Sequence, residues 1–358
     1  MNGVGAPGGI VRTIALLALA VVFPSVATVA LAQGQEVEDL TQAYGGAQFV
    51  TIATGVRQPV ATAPAVATVI TARDIREMGA TDVDQALEAV PGVHVSFSPQ
   101  GYNSIYIIRG IYSAFNPEVL VLINGIPITN LYVGNRGEAW GGMPVEDISR
   151  IEVIRGPGSA LYGADAFAGV INIVTKTANE IHGTEVGARG GSFDSYGGWL
   201  LHGGDYGGTK VALSLQADST GGFGGTITQD AQTAFDQLFA TRASLAPGSV
   251  NTARTRVDVR LDLSRQHWRF RAGFQGRQGG VGVGGASALD PVGRGDSHRF
   301  NADLTYRTLD LSPNWDLKAR LSYFDVATKT DLVLFPPGAF GGAFPNGVIG
   351  NPDVFERQ

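Results

Sequence analysis

Apolar and polar residues follow two different patterns, which divide the chain near residue 180. Beyond 183 they alternate. Val257, Val259, Leu261 and Leu263 are interleaved with Arg256, Asp258, Arg260 and Asp262. Trp268, Phe270, Ala272 and Phe274 alternate with charged and small residues that include Arg269 and Arg271. The same alternation runs through 211–217, 300–307 and 315–323. A period of two gives a strand one apolar and one polar face. Seven strands are expected, at 184–191, 195–203, 209–217, 254–264, 267–276, 298–309 and 315–326. Tilted membrane-spanning strands need about nine to eleven residues. A soluble β-sandwich alternates too, and alternation alone favours it. Loop lengths shift the balance. Short links follow strands two, four and six, and long Gly-rich links, 218–253 and 277–297, follow strands three and five. A membrane barrel has short turns at one end and long loops at the other, an asymmetry a sandwich has no reason to show.

Residues 60–178 read instead as a compact α/β unit with a small mixed sheet and short helices. Val66 to Thr71 is strand-like. Thr71, Asp74 and Thr81 offer helix N-caps, and Val83, Leu87 and Val90 fall at helical spacing before Pro91-Gly92 ends that helix. Ile105 to Ile108 is a buried-type strand. Asn124-Gly125 between apolar runs predicts a type I′ hairpin. Ile148–Ile154 and Val170–Val174 are two further strands, joined by a Gly-rich link.

The N-terminus reads as an export signal over 1–32. Arg12 precedes the apolar run Thr13 to Phe23, and Ala30-Leu31-Ala32 supplies a cleavage site before Gln33. The run is too short for a membrane helix, which needs about 20 residues, and Pro24 follows it. Residues 33–59 are expected to be a flexible polar leader. It contains one β-prone run, Phe49, Val50, Thr51, Ile52 and Ala53, able to add as a strand to a partner's sheet edge.

Composition narrows the chemistry. Gly supplies 50 of 358 residues, about twice the usual ~7%, and charged residues are 16% against a typical ~25%. Cys is absent, which excludes disulfides, thiolate metal sites and a thiol nucleophile. A net charge of −6 without a basic run argues against nucleic acid. His94, His182, His202, His267 and His298 show no metal-ligand spacing. Gly156-Pro157-Gly158-Ser159 has neither dinucleotide-loop nor nucleophile-elbow spacing. No enzyme, metal or cofactor is expected.

Five stretches carry a family likeness: VATVITARDI (66–75), DVDQALEAVPGV (82–93), IYIIRG (105–110), VLVLINGIPI (119–128) and VEDISRIEVIRGPGSALYGADAFAGVINIVTK (145–176). Residues 60–178 resemble the plug domain of TonB-dependent outer-membrane receptors, and 183–358 resemble more weakly the first part of their barrel. The resemblance implies a fold in which an α/β plug fills a lumen of antiparallel transmembrane strands. It implies energised import of a scarce, bulky solute such as a ferric siderophore, haem or cobalamin, across the outer membrane of a Gram-negative bacterium, by a monomer. It implies TonB as the partner that pulls on a box at Phe49–Ala53. It also implies pairing of plug residues Arg109 and Arg155 with barrel-wall glutamates.

By position, Tyr102, Tyr112, Phe115, Asn116, Tyr132, Arg136 and Trp140 are candidates for the plug tip that meets the solute. Aromatic rings and guanidinium groups suit flat or anionic chelates. The chain departs from the family in strand number, because a barrel of about 22 strands is implied and about seven are expected. The barrel is therefore expected to be incomplete, the chain an N-terminal fragment, and the partners of Arg109 and Arg155 missing, since Glu185 and Glu356 are the only glutamates after 183. The rival reading is a soluble periplasmic or secreted β-rich binding protein with a plug-like domain. In it, Val257, Leu261, Phe270, Leu317 and Leu321 would be buried in a core; in a barrel they would face lipid.

Overall fold

The computed structural model describes residues 49–50, 52, 58–59, 66–98, 103–130, 134, 136, 141–158, 162–285, 287–312, 315–351 and 353–357. The expected export signal lies outside them. The leader contributes β1 (Phe49–Val50), paired antiparallel with β2 (Gln58–Pro59).

The first unit starts with β3 (Ala67–Thr71) and α1 (Ala72–Glu77). Thr71 caps α1 in a reciprocal box with Asp74. In α2 (Val83–Glu88) the N-cap is Asp82, whose side chain accepts from the Gln85 amide, while Thr81 lies outside the helix. Then come β4 (Val93–Phe97), β5 (Ser104–Ile108), β6 (Val119–Ile123), β7 (Ile126–Pro127), β8 (Ile148–Arg155) and β9 (Gly169–Thr175). The main sheet has the order β3-β8-β9-β6-β7 and is mixed, β6 and β9 running parallel. β5 stands apart from it, paired only with β4. At the β6–β7 turn Asn124 and Gly125 have φ of 53° and 75°, the two left-handed residues of a type I′ turn. One face of the sheet packs on α1, α2 and β5 through Ile75, Leu87, Tyr106, Val121, Ile151 and Ile171. The other face carries a smaller cluster that includes Leu122, Ile154 and Val170.

The second unit is a single antiparallel sheet. It runs β10 (Gly183–Gly191), β11 (Ser195–Tyr206) and β12 (Thr209–Thr220). A long loop follows with β13 (Thr226–Ile227), α3 (Ala231–Phe239) and β14 (Gly248–Ser249). The sheet continues as β15 (Arg254–Arg265), β16 (Trp268–Gly280), β17 (Arg294–Ser312) and β18 (Trp315–Phe335). β19 (Val348–Gly350) and β20 (Asp353–Arg357) both pair with β18. All seven expected strands are present. β12, β16, β17 and β18 run further toward the long-loop end than alternation alone marks, because Gly and polar residues continue the ladder there. The tail returns to the sheet as β20.

This sheet has its polarity reversed relative to a soluble core. Leu304 is 39% exposed and Leu321 73%, whereas Asp258 and Arg299 are fully buried. The apolar face is bare and the charged face is covered by the first unit. A sandwich requires the opposite arrangement, so the strands are those of a barrel wall around a polar lumen. The sheet does not close among the described residues; β10 leaves one edge unpaired.

Candidate functional site

The charged face of the wall and the acids of the plug-like unit meet in three places. On β15, Arg256 donates to the Gly142 carbonyl at 2.6 Å, reaches Asp82 at 3.3 Å, and is held on its own wall by Asp218 of β12. Arg189 of β10 pairs with Glu146. Arg260 of β15 stands 3.1 Å from Asp147, in charge contact without the alignment of a hydrogen bond. Two further wall arginines donate to backbone carbonyls of the first unit: Arg277 to Gly141 at 3.3 Å and Arg299 to Ile128 at 3.3 Å. Fully buried Asp258 accepts from Arg277 at 2.7 Å and pairs with Arg260 at 3.1 Å.

Local structure presents these acids. Asp82 stands at the start of α2, and Asp147 lies just before β8. Gly142, with φ of 56°, lets the backbone come against the wall, since a Cβ there would lie 1.8 Å from the Arg256 guanidinium. Burial raises the carboxyl of Asp82, with Asp84 adding to the effect and Arg256 opposing it. Burial likewise raises Glu146 against the pull of Arg189, and Asp147 against that of Arg260. In all three, desolvation outweighs the partner. Buried pairs of this kind add little net stability, but removing one partner costs about 3–5 kcal/mol. Such contacts position an element without fixing it irreversibly.

The structure distributes the expected tip residues differently. Tyr102, Tyr132 and Trp140 lie outside the described residues. Asn116 and Arg136 are interior. Asn116 bridges the Tyr106 backbone, accepting from its amide at 2.7 Å and donating to its carbonyl at 2.9 Å. Arg136 is 4% exposed, donates to Asn116 Oδ1 at 2.6 Å, and lies over the Tyr106 ring at 4.8 Å. Burial holds this guanidinium below its usual range, against the opposing effect of Tyr106 and nearby acids. Both residues brace the segment before β6, where Arg136 also donates to the Asn116 and Val119 carbonyls. Tyr112 and Phe115 are exposed, in the segment between β5 and β6.

Arg109 and Arg155 meet no carboxylate among the described residues. Arg155 donates to the Pro91 carbonyl and to Thr68 Oγ1 at 3.1 Å, and Arg109 lies near Gly156 with φ of 53°. The pairs across the interface have the reverse polarity, with arginine on the wall and acid on the plug-like unit. The alternating run Arg256-Val-Asp-Val-Arg260 shows the wall charges in the sequence, but not the acids they meet. Of the run Phe49–Ala53, Thr51 and Ala53 lie outside the described residues. Val50 and Ile52 are buried against the sheet's second cluster, and the Ile52 amide donates to Glu152 at 3.2 Å.

A family model described as the TonB-dependent Receptor Plug Domain matches residues 59–170. The chain is 41% identical over 136 residues to the vitamin B12 transporter BtuB of Vibrio vulnificus, a match covering 38% of the chain and 22% of that relative. Its fold is similar to the ferric-catecholate import receptor Fiu of E. coli K12, with a TM-score of 0.55 at 19% identity, over 84% of the chain and 46% of Fiu. It is also similar to the alcaligin outer membrane receptor FauA of Bordetella pertussis, with a TM-score of 0.52 at 17% identity, over 79% of the chain and 42% of FauA. The chain thus spans about a fifth of the curated relative and under half of each solved structure.

Proposed function

We propose that this chain, which carries the plug domain of a TonB-dependent receptor followed by strands of its barrel, is the gating part of an outer-membrane importer. One observation carries the reading: the wall turns its charged face onto the plug and leaves its apolar face bare. Lipid accepts that outer face, and the plug occupies the lumen it would otherwise leave open. The long loops at one end then face outward, and the short turns face the periplasm of a Gram-negative cell. The solute is a scarce, bulky molecule such as a ferric siderophore, haem or cobalamin.

The leader supplies the handle. Phe49–Ala53 is the segment for TonB to engage, because an extended run can pair with a partner's strand edge without a pocket. The burial of Val50 and Ile52 against the second apolar cluster, and the Ile52 amide's bond to Glu152, support a stored position from which the segment is drawn out. The raised carboxyls of Asp82, Glu146 and Asp147 support a plug seated by contacts that a mechanical pull can part.

The test is energised uptake by cells bearing the receptor that contains this chain. Ile52→Pro removes the amide that strand pairing needs. Uptake of the solute is expected to cease while solute binding at the cell surface persists. Uptake at the native rate in this variant would refute the handle.

A further inference from the structure

At the long-loop end the links of the wall fold on one another. Three segments meet there: 221–253, which carries α3; 281–293; and 331–347, the tip of β18 with the turn after it. Each touches both of the others. Asp230 caps α3 by accepting from the Thr233 amide at 2.8 Å, and its second oxygen accepts from the Leu289 amide at 2.8 Å, which joins the first segment to the second. Asp290, fully buried, accepts from the Gly293 amide at 2.7 Å with one oxygen and from the Val333 amide at 2.7 Å with the other, which joins the second to the third. The ring closes through aromatic contact. Phe235 and Phe340 have ring centroids 4.6 Å apart, and Phe340 meets Phe335 edge-on at 5.1 Å.

Segments that open easily have few buried apolar contacts and leave their backbone hydrogen bonds to solvent. These segments differ on both counts. Ala243, Ala288, Leu289 and Ala339 are buried among them. Their carboxylate-to-amide bonds are of a kind roughly twice as strong as neutral ones. Gly284 permits the closest approach, since a Cβ there would lie 2.1 Å from the Val333 carbonyl oxygen. Because the contacts form a closed ring, no segment can swing out without parting two junctions.

We infer that these three segments are one preassembled lobe, knotted by Asp230 and Asp290, and that the lobe stays shut while solute enters. This side of the mouth is then a fixed rim, and any loop that opens for the solute lies elsewhere on the receptor. The inference rests on the importer reading.

The test locks the lobe. A Cβ at Gly338 would lie 3.7 Å from that of Ala243, near the mean of about 3.8 Å for a disulfide. Ala243→Cys with Gly338→Cys therefore ties the first segment to the third, in a chain with no other cysteine. Cells bearing the receptor that contains this chain are given ferric citrate, a ferric tris-catecholate and cyanocobalamin. Energised uptake is compared before and after reduction of the same variant, so that any strain at Gly338 cancels. The bridge is expected to form in the folded receptor, and uptake of whichever probe enters should be the same in both states. A bridge that does not form, or uptake blocked by the bridge and restored by reductant, would overturn the fixed rim. Hydrogen exchange supplies a second arm that needs no transport. Asp290→Ala should speed amide exchange about tenfold or more in all three segments, α3 included, the scale of one lost charge-assisted contact. Faster exchange confined to 290–293 and Val333 would show three separate loops and overturn the lobe. If no probe enters in either state, the importer reading fails and exchange alone decides the lobe. Uptake that requires the bridge to be open leaves the importer standing and removes the rim.

Discussion

The plug and the wall solve the same burial problem with opposite signs. In the plug, Leu122, Val121 and Ile151 are fully buried and most of the interior is apolar, with Glu152, Asp147 and Arg136 among the buried exceptions. In the wall, Asp258, Arg299 and Asp303 are at most 2% exposed, and Leu304 and Leu321 are bare. The plug is held by apolar burial, at about 25 cal/mol per Å². The wall is held by its hydrogen-bond ladder and by paired charges on its covered face. One chain can carry both because alternation leaves open which face is the inside. The solvent decides.

Substitutions of matched chemistry in the two regions should therefore act differently. The largest effect is expected at Asp258. Asp258→Ala leaves Arg277 without its carboxylate and Arg260 with Asp147 alone, and should destabilise the folded chain by about 3–5 kcal/mol, read from urea unfolding in detergent. Next is Leu122→Ala, which leaves a cavity in the plug and should cost about 2–5 kcal/mol. Leu321→Ala, at an exposed wall position, should stay within about 0.5 kcal/mol in the same assay. A comparable loss at both leucines would break the contrast.

Gly142→Ala sharpens the seam between the regions. It places a methyl group on Arg256 at a left-handed backbone position, and should cost about 1–3 kcal/mol. Protease cleavage of the plug should quicken while the wall stays protected. The smallest effect concerns the long loop. Burial of Asp236 favours its neutral form, but hydrogen bonds from Ser244, Ala243, Thr241 and Gln232 outweigh it and hold the carboxyl at about 2. A depressed carboxyl stabilises above its unfolded value of 3.8 and loses that contribution as pH falls toward 2. Hydrogen exchange around α3 should be flat from pH 7 to about 4 and rise below that, beyond the intrinsic pH dependence of exchange. Asp236→Asn should abolish the rise.

Local signals made much of the fold legible. Asn124-Gly125 announced its hairpin because both residues accept positive φ, and the alternating runs announced five of the seven long wall strands, β12 and β15 to β18. The α2 cap shifted by one residue, from Thr81 to Asp82, because both side chains can cap and only Asp82 accepts from the Gln85 backbone amide. The site was less legible. Asn116 and Arg136 have the composition of a ligand surface, but Asn116 spends its side chain on the Tyr106 backbone and Arg136 donates to Asn116 and the Val119 carbonyl. Spacing cannot reveal that long-range bracing. The seam was hidden for a related reason. Arg256 and Asp82 are 174 residues apart, and only the docked plug brings them within 3.3 Å.

The central claim is that the wall's apolar face meets lipid and its charged face meets the plug. The chain has no cysteine, so single cysteines report without background. Leu304 and Thr305 are consecutive on β17, 39% and 9% exposed. Leu304→Cys and Thr305→Cys, each in the receptor inserted in bilayers, can be probed with a thiol reagent confined to the lipid phase. The account predicts rapid labelling at 304 and none at 305. Labelling at 305, or protection of 304, would contradict it.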